Sequence, residues 1–134
     1  MIRGLTSIYH IGIVVKSIEN SLNYFLNLGY KKKTDKIFEP SQKVNVQFLS
    51  LNNVMIELIE PAAQPSPIDA FLNKGGGLHH LCYSTEDIEE TLEDFKKRGA
   101  VIVYKPYISI SIEGDNVAFI VTKERELIEL VEKK

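Results

Sequence analysis

The chain has 134 residues, of which 44% are hydrophobic and 25% are charged, and its formal net charge is −2. This composition is that of an ordinary globular domain, and the near balance of charge gives no reason to expect a nucleic acid or an anionic membrane as partner. No apolar run is long enough for a membrane span, and no signal peptide opens the sequence. A single cysteine, Cys82, excludes an intrachain disulfide. We therefore expect one cytoplasmic domain over residues 1–134.

The first half of the chain predicts one βαβββ unit, which we call module one and place at residues 7–61. Four stretches rich in β-branched and apolar residues predict its strands: residues 7–15, 30–34, 44–51 and 54–60. After the first strand, Ser17 suits the N-cap of a helix and Gly29 suits its end. The last two strands predict a hairpin with Asn52-Asn53 in the turn, and Pro61 ends it.

A proline- and glycine-rich linker, residues 62–77, separates module one from a second unit, module two, at residues 78–132. Within the linker, Ser66 is the predicted N-cap of a short helix. The helix of module two has its predicted N-cap near Thr85 and ends at Gly99. Four stretches predict strands in module two: residues 78–84, 100–104, 117–122 and 127–131. The order of elements therefore matches that of module one.

The two modules are copies of one pattern. Five residues that follow His10 in module one, at offsets of 8, 9, 12, 15 and 19, recur after His80 in module two at the same offsets, a separation of 70 residues. The segment Ile-Glu-Leu-Ile-Glu at residues 56–60 recurs as Ile-Glu-Leu-Val-Glu at residues 128–132, a separation of 72 residues. One-residue insertions in surface loops account for the drift. The sequence thus predicts an α+β fold of two βαβββ modules related by internal pseudo-symmetry.

Each module places one histidine and one glutamate where strand alternation can bring them to the same face. In module one, the isoleucine and leucine beside Glu57 can face the helix while Glu57 faces away, and His10 alternates in the same sense. His80 and Glu129 follow the same pattern in module two. Two imidazoles and two carboxylates suit a divalent ion such as Zn²⁺, Ni²⁺, Co²⁺ or Mn²⁺. We therefore expect a curved mixed sheet around a metal site.

Two other residues near His80 could take part in chemistry, but a structural role fits them better. Alternation places His79 on the opposite face from His80, and the repeat aligns His80, not His79, with His10. Cys82 shares the face of His80, but the sequence offers no further histidine to activate it as a nucleophile. We interpret His79 as structural and Cys82 as part of a cavity wall.

The sequence resembles the vicinal-oxygen-chelate superfamily, which includes glyoxalase I, methylmalonyl-CoA epimerase, extradiol dioxygenases and metal-free resistance proteins. The resemblance spans residues 7–132 and rests on the paired modules and four residues: His10, Glu57, His80 and Glu129. The epimerase branch is the most similar, through Ile-Glu-Leu-Ile-Glu-Pro at residues 56–61, Ser-Pro-Ile at residues 66–68 and Gly-Leu-His-His at residues 77–80.

This resemblance implies one divalent metal ion, held by the four residues and leaving open positions for two substrate oxygens. The ion would act as a Lewis acid on an enolate or enediolate. In both isomerising branches a metal-bound glutamate is a proposed base, which implies a catalytic role for Glu129 first and Glu57 second. The implied activity moves a proton at a carbon next to a carbonyl, as in methylmalonyl-CoA epimerase, on an acyl-CoA thioester.

Three alternatives remain within the superfamily. The first is lactoylglutathione lyase (glyoxalase I) activity on a hemithioacetal. The second is an Fe(II) dioxygenase with His10, His80 and Glu129 as its facial triad, and a fourth ligand at Glu57 argues against it. The third is a non-enzymatic small-molecule-binding protein of the resistance type, and the complete ligand set argues against that.

The sequence also departs from the epimerase pattern. The loop from Tyr107 to Gly114 has serines where epimerases commonly have glycine and histidine. Some epimerases carry a second carboxylate base on the strand that holds Gln47, and a glutamine cannot replace it. An even hairpin loop would pair Phe48 with Glu57 and an odd loop would pair Gln47 with it, so the sequence leaves the direction of Gln47 open.

The superfamily builds its site either within one chain or from modules exchanged between two chains. Residues 62–77 are long enough to span the edge of a small sheet at about 3.3 Å per extended residue. The epimerase resemblance also implies the single-chain arrangement. We therefore expect each chain to build its own site, and we expect a homodimer.

Overall fold

A computed structural model describes all 134 residues. It contains nine strands and three helices, which confirms a mixed α+β fold. The elements in chain order are β1 (Leu5–Val14), α1 (Ile18–Asn27), β2 (Lys31–Lys32), β3 (Ile37–Glu39), β4 (Val44–Leu51), β5 (Val54–Pro61), α2 (Asp69–Asn73), β6 (Gly77–Thr85), α3 (Ile88–Lys97), β7 (Val101–Ser109), β8 (Asp115–Val121) and β9 (Leu127–Glu132). None of the helices has the length and apolar character needed to cross a membrane.

The chain divides into two compact units. Unit A consists of residues 10–79, and unit B consists of residues 1–9 and 80–134. The strands follow the order β2-β4-β5-β1 in unit A, where β3 also pairs with β4, and β1-β6-β9-β8-β7 in unit B. In both units the first strand of a module pairs in parallel with its last, β1 with β5 and β6 with β9. All other registered pairs are antiparallel, so the predicted mixed sheet is confirmed.

Each unit buries one face of its strands under one helix. In unit A, Ile18 of α1 packs with Leu49, Ile56 and Leu58 of the strands, and all four are buried. The matching cluster of unit B joins α3 to β8 and β9: Ile88, Leu92, Phe95, Ala118, Ile120, Ile128 and Leu130. Because side chains alternate along a strand, the residues between these core positions point to the opposite face. That face carries the polar side chains described below.

The helix caps agree with the sequence in one unit and differ in the other. As predicted, Ser17 is the N-cap of α1, and its side chain accepts a 3.2 Å hydrogen bond from the N–H of Asn20. The predicted cap near Thr85 is wrong, because Asp87 is the N-cap of α3 and accepts from the N–H of Glu90 at 3.0 Å. The Thr85 hydroxyl is instead buried against the hydroxyl of a threonine in α3.

Other corrections concern the linker and the edge strands. The N-cap of α2 is Ile68 rather than Ser66, and the Ser66 N–H donates to the side chain of Asp69 at 2.7 Å. Only residues 31–32 of the predicted strand 30–34 form a strand. The strand predicted at residues 100–104 continues through Pro106 to residue 109, which is possible because β7 is an edge strand with register shifts.

Candidate metal centre

In unit A, a histidine and a glutamate meet on the face opposite the helix. The parallel register of β1 and β5 pairs Ile11 with Ile56 on the helix side and Gly12 with Glu57 on the other side. His10 alternates with Ile11 and so shares the face of Glu57. The His10 Nε2 and the Glu57 Oε1 lie 3.2 Å apart, and both side chains are buried.

Unit B repeats this arrangement with different strands. The parallel register of β6 and β9 pairs Cys82 with Glu129, and His80 lies two residues before Cys82 on the same face. The His80 Nε2 and the Glu129 Oε1 lie 3.1 Å apart, and both side chains are buried. The repeat in the sequence therefore corresponds to two equivalent histidine–carboxylate pairs in the structure.

A phenylalanine ring meets each histidine from the neighbouring antiparallel strand. Phe48 is the register partner of Glu57, and its ring contacts the ring of His10 edge-on at 5.3 Å between centroids. Phe119 is the register partner of Glu129 and contacts His80 in the same way, also at 5.3 Å. Each imidazole is thus held between a carboxylate and a buried aromatic ring, which restricts its orientation.

The distances within each pair fit two ligands of one metal ion. Two ligand atoms about 2.1 Å from an ion, at angles of about 90–109°, are separated by roughly 3.0–3.4 Å. The separations of 3.2 Å in unit A and 3.1 Å in unit B lie in this range. Imidazole nitrogen and carboxylate oxygen are also ligands that first-row divalent ions accept. Each buried pair could therefore supply two ligands.

The hairpin between β4 and β5 decides the direction of Gln47. Its loop has two residues, Asn52-Asn53, and the register pairs Phe48 with Glu57 and Gln47 with Leu58. Gln47 consequently points to the helix side, where its side-chain amide donates a 2.9 Å hydrogen bond to the Thr34 carbonyl. The even-loop alternative is the one that forms.

His79, interpreted as structural, and Cys82, interpreted as part of a cavity wall, lie close to His80 in the sequence. The ring of His79 packs edge-on against Phe71 of α2, with 4.8 Å between centroids. Cys82 is completely buried and lies on the face of Glu129. Neither observation makes His79 or Cys82 a candidate metal ligand.

Sequence reasoning missed a buried carboxylate in unit A. Glu39 is 3% exposed and lies at the end of β3, a strand that the sequence analysis did not predict. Its register partner is Val44, which alternates in phase with Phe48, so Glu39 shares the face of Glu57. Its side chain accepts a 2.8 Å hydrogen bond from the Ser41 hydroxyl. The signal available in the sequence was the run Ile37-Phe38-Glu39 before Pro40, in which Ile37 and Glu39 share one face of a strand.

The sequence profile of the Glyoxalase/Bleomycin resistance protein/Dioxygenase superfamily matches residues 9–119. The chain belongs to this superfamily. An ethylmalonyl-CoA/methylmalonyl-CoA epimerase from Cereibacter sphaeroides is 33% identical over 86% of this chain and 87% of its own length. The mitochondrial methylmalonyl-CoA epimerase of Homo sapiens is 30% identical over 90% of this chain and 69% of its own length. The resemblance to the epimerase branch is therefore confirmed.

Solved structures of superfamily members extend this result to the fold. A single-residue variant of the methylmalonyl-CoA epimerase of Streptomyces coelicolor, in complex with 2-nitronate-propionyl-CoA, has a TM-score of 0.84 and 25% identity, covering 96% of this chain and 98% of its own. A hypothetical protein from Bacillus halodurans has a TM-score of 0.83 and 34% identity, covering 95% and 94%. These relatives support an enzyme of the epimerase type and give no support to the glyoxalase I alternative.

Proposed function

We propose that this protein is a divalent-metal-dependent epimerase that inverts the carbon next to the carbonyl of a 2-alkylmalonyl-CoA thioester. In this proposal one metal ion is bound by four side chains: His10, Glu57, His80 and Glu129. The observation that carries it is the equivalence of two buried histidine–carboxylate pairs in a chain whose relatives are epimerases. A set of two histidines and two glutamates is of a kind that could hold a metal ion.

The bound ion would supply Lewis-acid stabilisation of the negative charge that develops on substrate oxygens when the carbon loses its proton. Side chains of the protein remove and return that proton. A carboxylate of the site removes it, and we assign this role first to Glu129 and second to Glu57. The edge-on contacts of Phe48 and Phe119 restrict the orientation of the imidazole rings, and burial of both pairs limits the access of bulk water to these four side chains.

Inversion of a stereocentre needs a proton to leave from one side of the carbon and to return on the other. A second acid–base group therefore serves the reaction, and Glu39 is our candidate. It is a buried carboxylate on the face of Glu57, and the Ser41 hydroxyl fixes its side chain at 2.8 Å. Gln47 is not available for this role, since its side chain points to the helix side and an amide does not titrate.

The test is the exchange of the substrate's α-hydrogen with solvent. Purified protein should be stripped of metal, reloaded separately with Zn²⁺, Co²⁺, Ni²⁺ or Mn²⁺, and incubated with one epimer of methylmalonyl-CoA in D₂O. We expect deuterium at the α-carbon and formation of the other epimer with at least one metal, and neither in the stripped protein. A parallel assay uses the hemithioacetal of methylglyoxal and glutathione. Turnover of the hemithioacetal alone would contradict the proposal.

The proposal also covers the location, the oligomeric state and the partner molecule of the protein. We propose that the protein acts in the cytoplasm as a homodimer and takes an acyl-CoA thioester as its partner molecule. The bacterial relative supports a cytoplasmic enzyme, and the solved epimerase complex was obtained with an acyl-CoA compound. Size-exclusion chromatography with light scattering tests the dimer directly.

A further inference from the structure

We propose that Tyr104, with Tyr107 beside it, forms an aromatic wall that contacts the alkyl substituent of the substrate and limits its size. This inference rests on the proposed epimerase function and adds to it a residue that determines specificity. Two observations support the inference: the irregular geometry of β7, and a row of ring contacts that runs from His80 of the unit B pair to this strand.

Two irregularities in β7 bring both tyrosines to one face. Residues three apart in a regular strand point to opposite faces. Here Tyr104 pairs with Phe119 and Tyr107 pairs with Val117, and register shifts precede each of these pairings. Phe119 and Val117 are two residues apart and share the face of Glu129, so both tyrosines share it too. Bulges that re-aim side chains in this way are common beside active sites.

The tyrosine rings continue the contact that His80 makes with Phe119. The centroids of His80 and Phe119 are 5.3 Å apart, those of Phe119 and Tyr104 are 5.8 Å apart, and those of Tyr104 and Tyr107 are 6.2 Å apart. All three contacts are edge-to-face. Both tyrosines are only partly buried, whereas Phe119 is 4% exposed. The row therefore ends in aromatic surface that a small molecule can reach.

Module one has no equivalent of this wall. The stretch that corresponds to β7 is divided into the short strands β2 and β3. The aromatic residue of β3, Phe38, pairs with Asn45 rather than with a residue in phase with Phe48, and it is 52% exposed. The two ligand pairs are equivalent, but their surroundings are not. The aromatic surface on the Glu129 side can thus distinguish the alkyl substituent of the stereogenic carbon from its other substituents.

In the proposed substrate class, such a wall would distinguish alkyl substituents of different size. Methylmalonyl and ethylmalonyl thioesters differ by one methylene, and an apolar pocket distinguishes such pairs by roughly tenfold or more. The Cereibacter sphaeroides relative is named for both substrates. A rigid ring at position 104 sets how much space the substituent has, and its removal should favour the larger substrate.

The experiment compares kcat/KM for ethylmalonyl-CoA and methylmalonyl-CoA in the metal-loaded protein. We expect Tyr104→Ala to raise the ethyl-to-methyl ratio by about tenfold and to weaken binding of 2-nitronate-propionyl-CoA in calorimetry. Tyr104→Phe should keep both values, since it keeps the ring. The matched control is Tyr24→Ala, which removes a tyrosine that is 63% exposed on α1. Tyr104→Leu is the second variant, for use if the alanine variant does not fold.

The inference would be overturned if the wild-type protein is active but Tyr104→Ala and Tyr104→Leu have the same ethyl-to-methyl ratio of kcat/KM, and the same binding of 2-nitronate-propionyl-CoA, as Tyr24→Ala. That result would leave the proposed function intact. A change in Tyr104→Phe equal to that in Tyr104→Ala would also overturn it, because the hydroxyl rather than the ring would then be responsible. Wild-type protein that neither turns over nor binds the acyl-CoA compounds would overturn the proposed function, and the inference with it.

Discussion

The carboxylate of Glu60 accepts a 2.7 Å hydrogen bond from the backbone N–H of Ile18, the first residue of α1. In unit B, Glu132 accepts a 3.0 Å hydrogen bond from the N–H of Ile88, the first residue of α3. Each glutamate follows Glu57 or Glu129 by three residues on the same strand. Free N–H groups at a helix start need acceptors and favour negative charge. The repeated glutamate therefore ties each candidate ligand strand to the helix that covers it.

Glu60→Gln should lower the free energy of unfolding by about 1–2 kcal/mol at pH 7, because a neutral amide oxygen is a weaker acceptor at a helix start than a carboxylate. Urea denaturation followed by circular dichroism measures the difference. The matched control is Glu19→Gln, which removes an exposed charge from the first turn of the same helix. A loss of stability in Glu19→Gln equal to that in Glu60→Gln would show that charge near the helix, and not this hydrogen bond, is responsible.

The stabilisation by Glu60 should depend on pH. Burial acts to raise the pKa of the Glu60 carboxyl, but hydrogen bonds from the Ile18 N–H and the Asn45 amide outweigh it. Lys36 adds to the effect, so that the pKa lies below its ordinary value of 4.5. A lowered pKa in the folded protein means that stabilisation is complete above pH 4.5 and is lost as the pH falls through the folded-state value. Wild type and Glu60→Gln should therefore converge in stability in acid, and a constant difference would contradict this.

His10→Ala and His80→Ala should each lose most of the bound metal, because each removes one of four proposed ligands and leaves a buried carboxylate without its imidazole. His79→Ala should keep its metal, since the ring of His79 packs against Phe71. Elemental analysis of the three purified variants measures the metal content per chain. Wild-type metal content in His80→Ala would remove this residue from the proposed centre.

Glu39→Gln should keep the metal but lose inversion. A chain with one remaining base can still exchange the α-hydrogen of one epimer with solvent, while it cannot deliver a proton to the opposite side of the carbon. Incubation of each epimer in D₂O, followed by mass spectrometry and chiral analysis, separates exchange from inversion. Ser41→Ala, which removes the hydroxyl that donates to Glu39, should show a smaller loss. Equal rates of inversion in wild type and Glu39→Gln would exclude Glu39 as the second group.

The sequence predicted those features that depend on short-range pattern. The repeat located both histidine–glutamate pairs because alternation along a strand determines the face of a residue such as Glu57. The sequence alone could not determine which face of the sheet Gln47 takes, because that face depends on the number of residues in the hairpin loop. It also missed Glu39, because a three-residue strand such as β3 forms through pairing with β4 and not through its own preference. The bulges that turn Tyr107 are likewise a property of the pairing.

The last prediction concerns whether one chain supplies the whole centre. We expect each chain to use its own His10 and His80, since residues 62–77 are long enough to connect the modules within a chain. Inactive His10→Ala protein mixed with inactive His80→Ala protein should then stay inactive. If the modules were exchanged between chains, one site of each mixed dimer would carry neither substitution, and activity would recover to roughly a quarter of wild type. Copies with different affinity tags must be shown to exchange subunits, because only then does the absence of recovery distinguish the two arrangements.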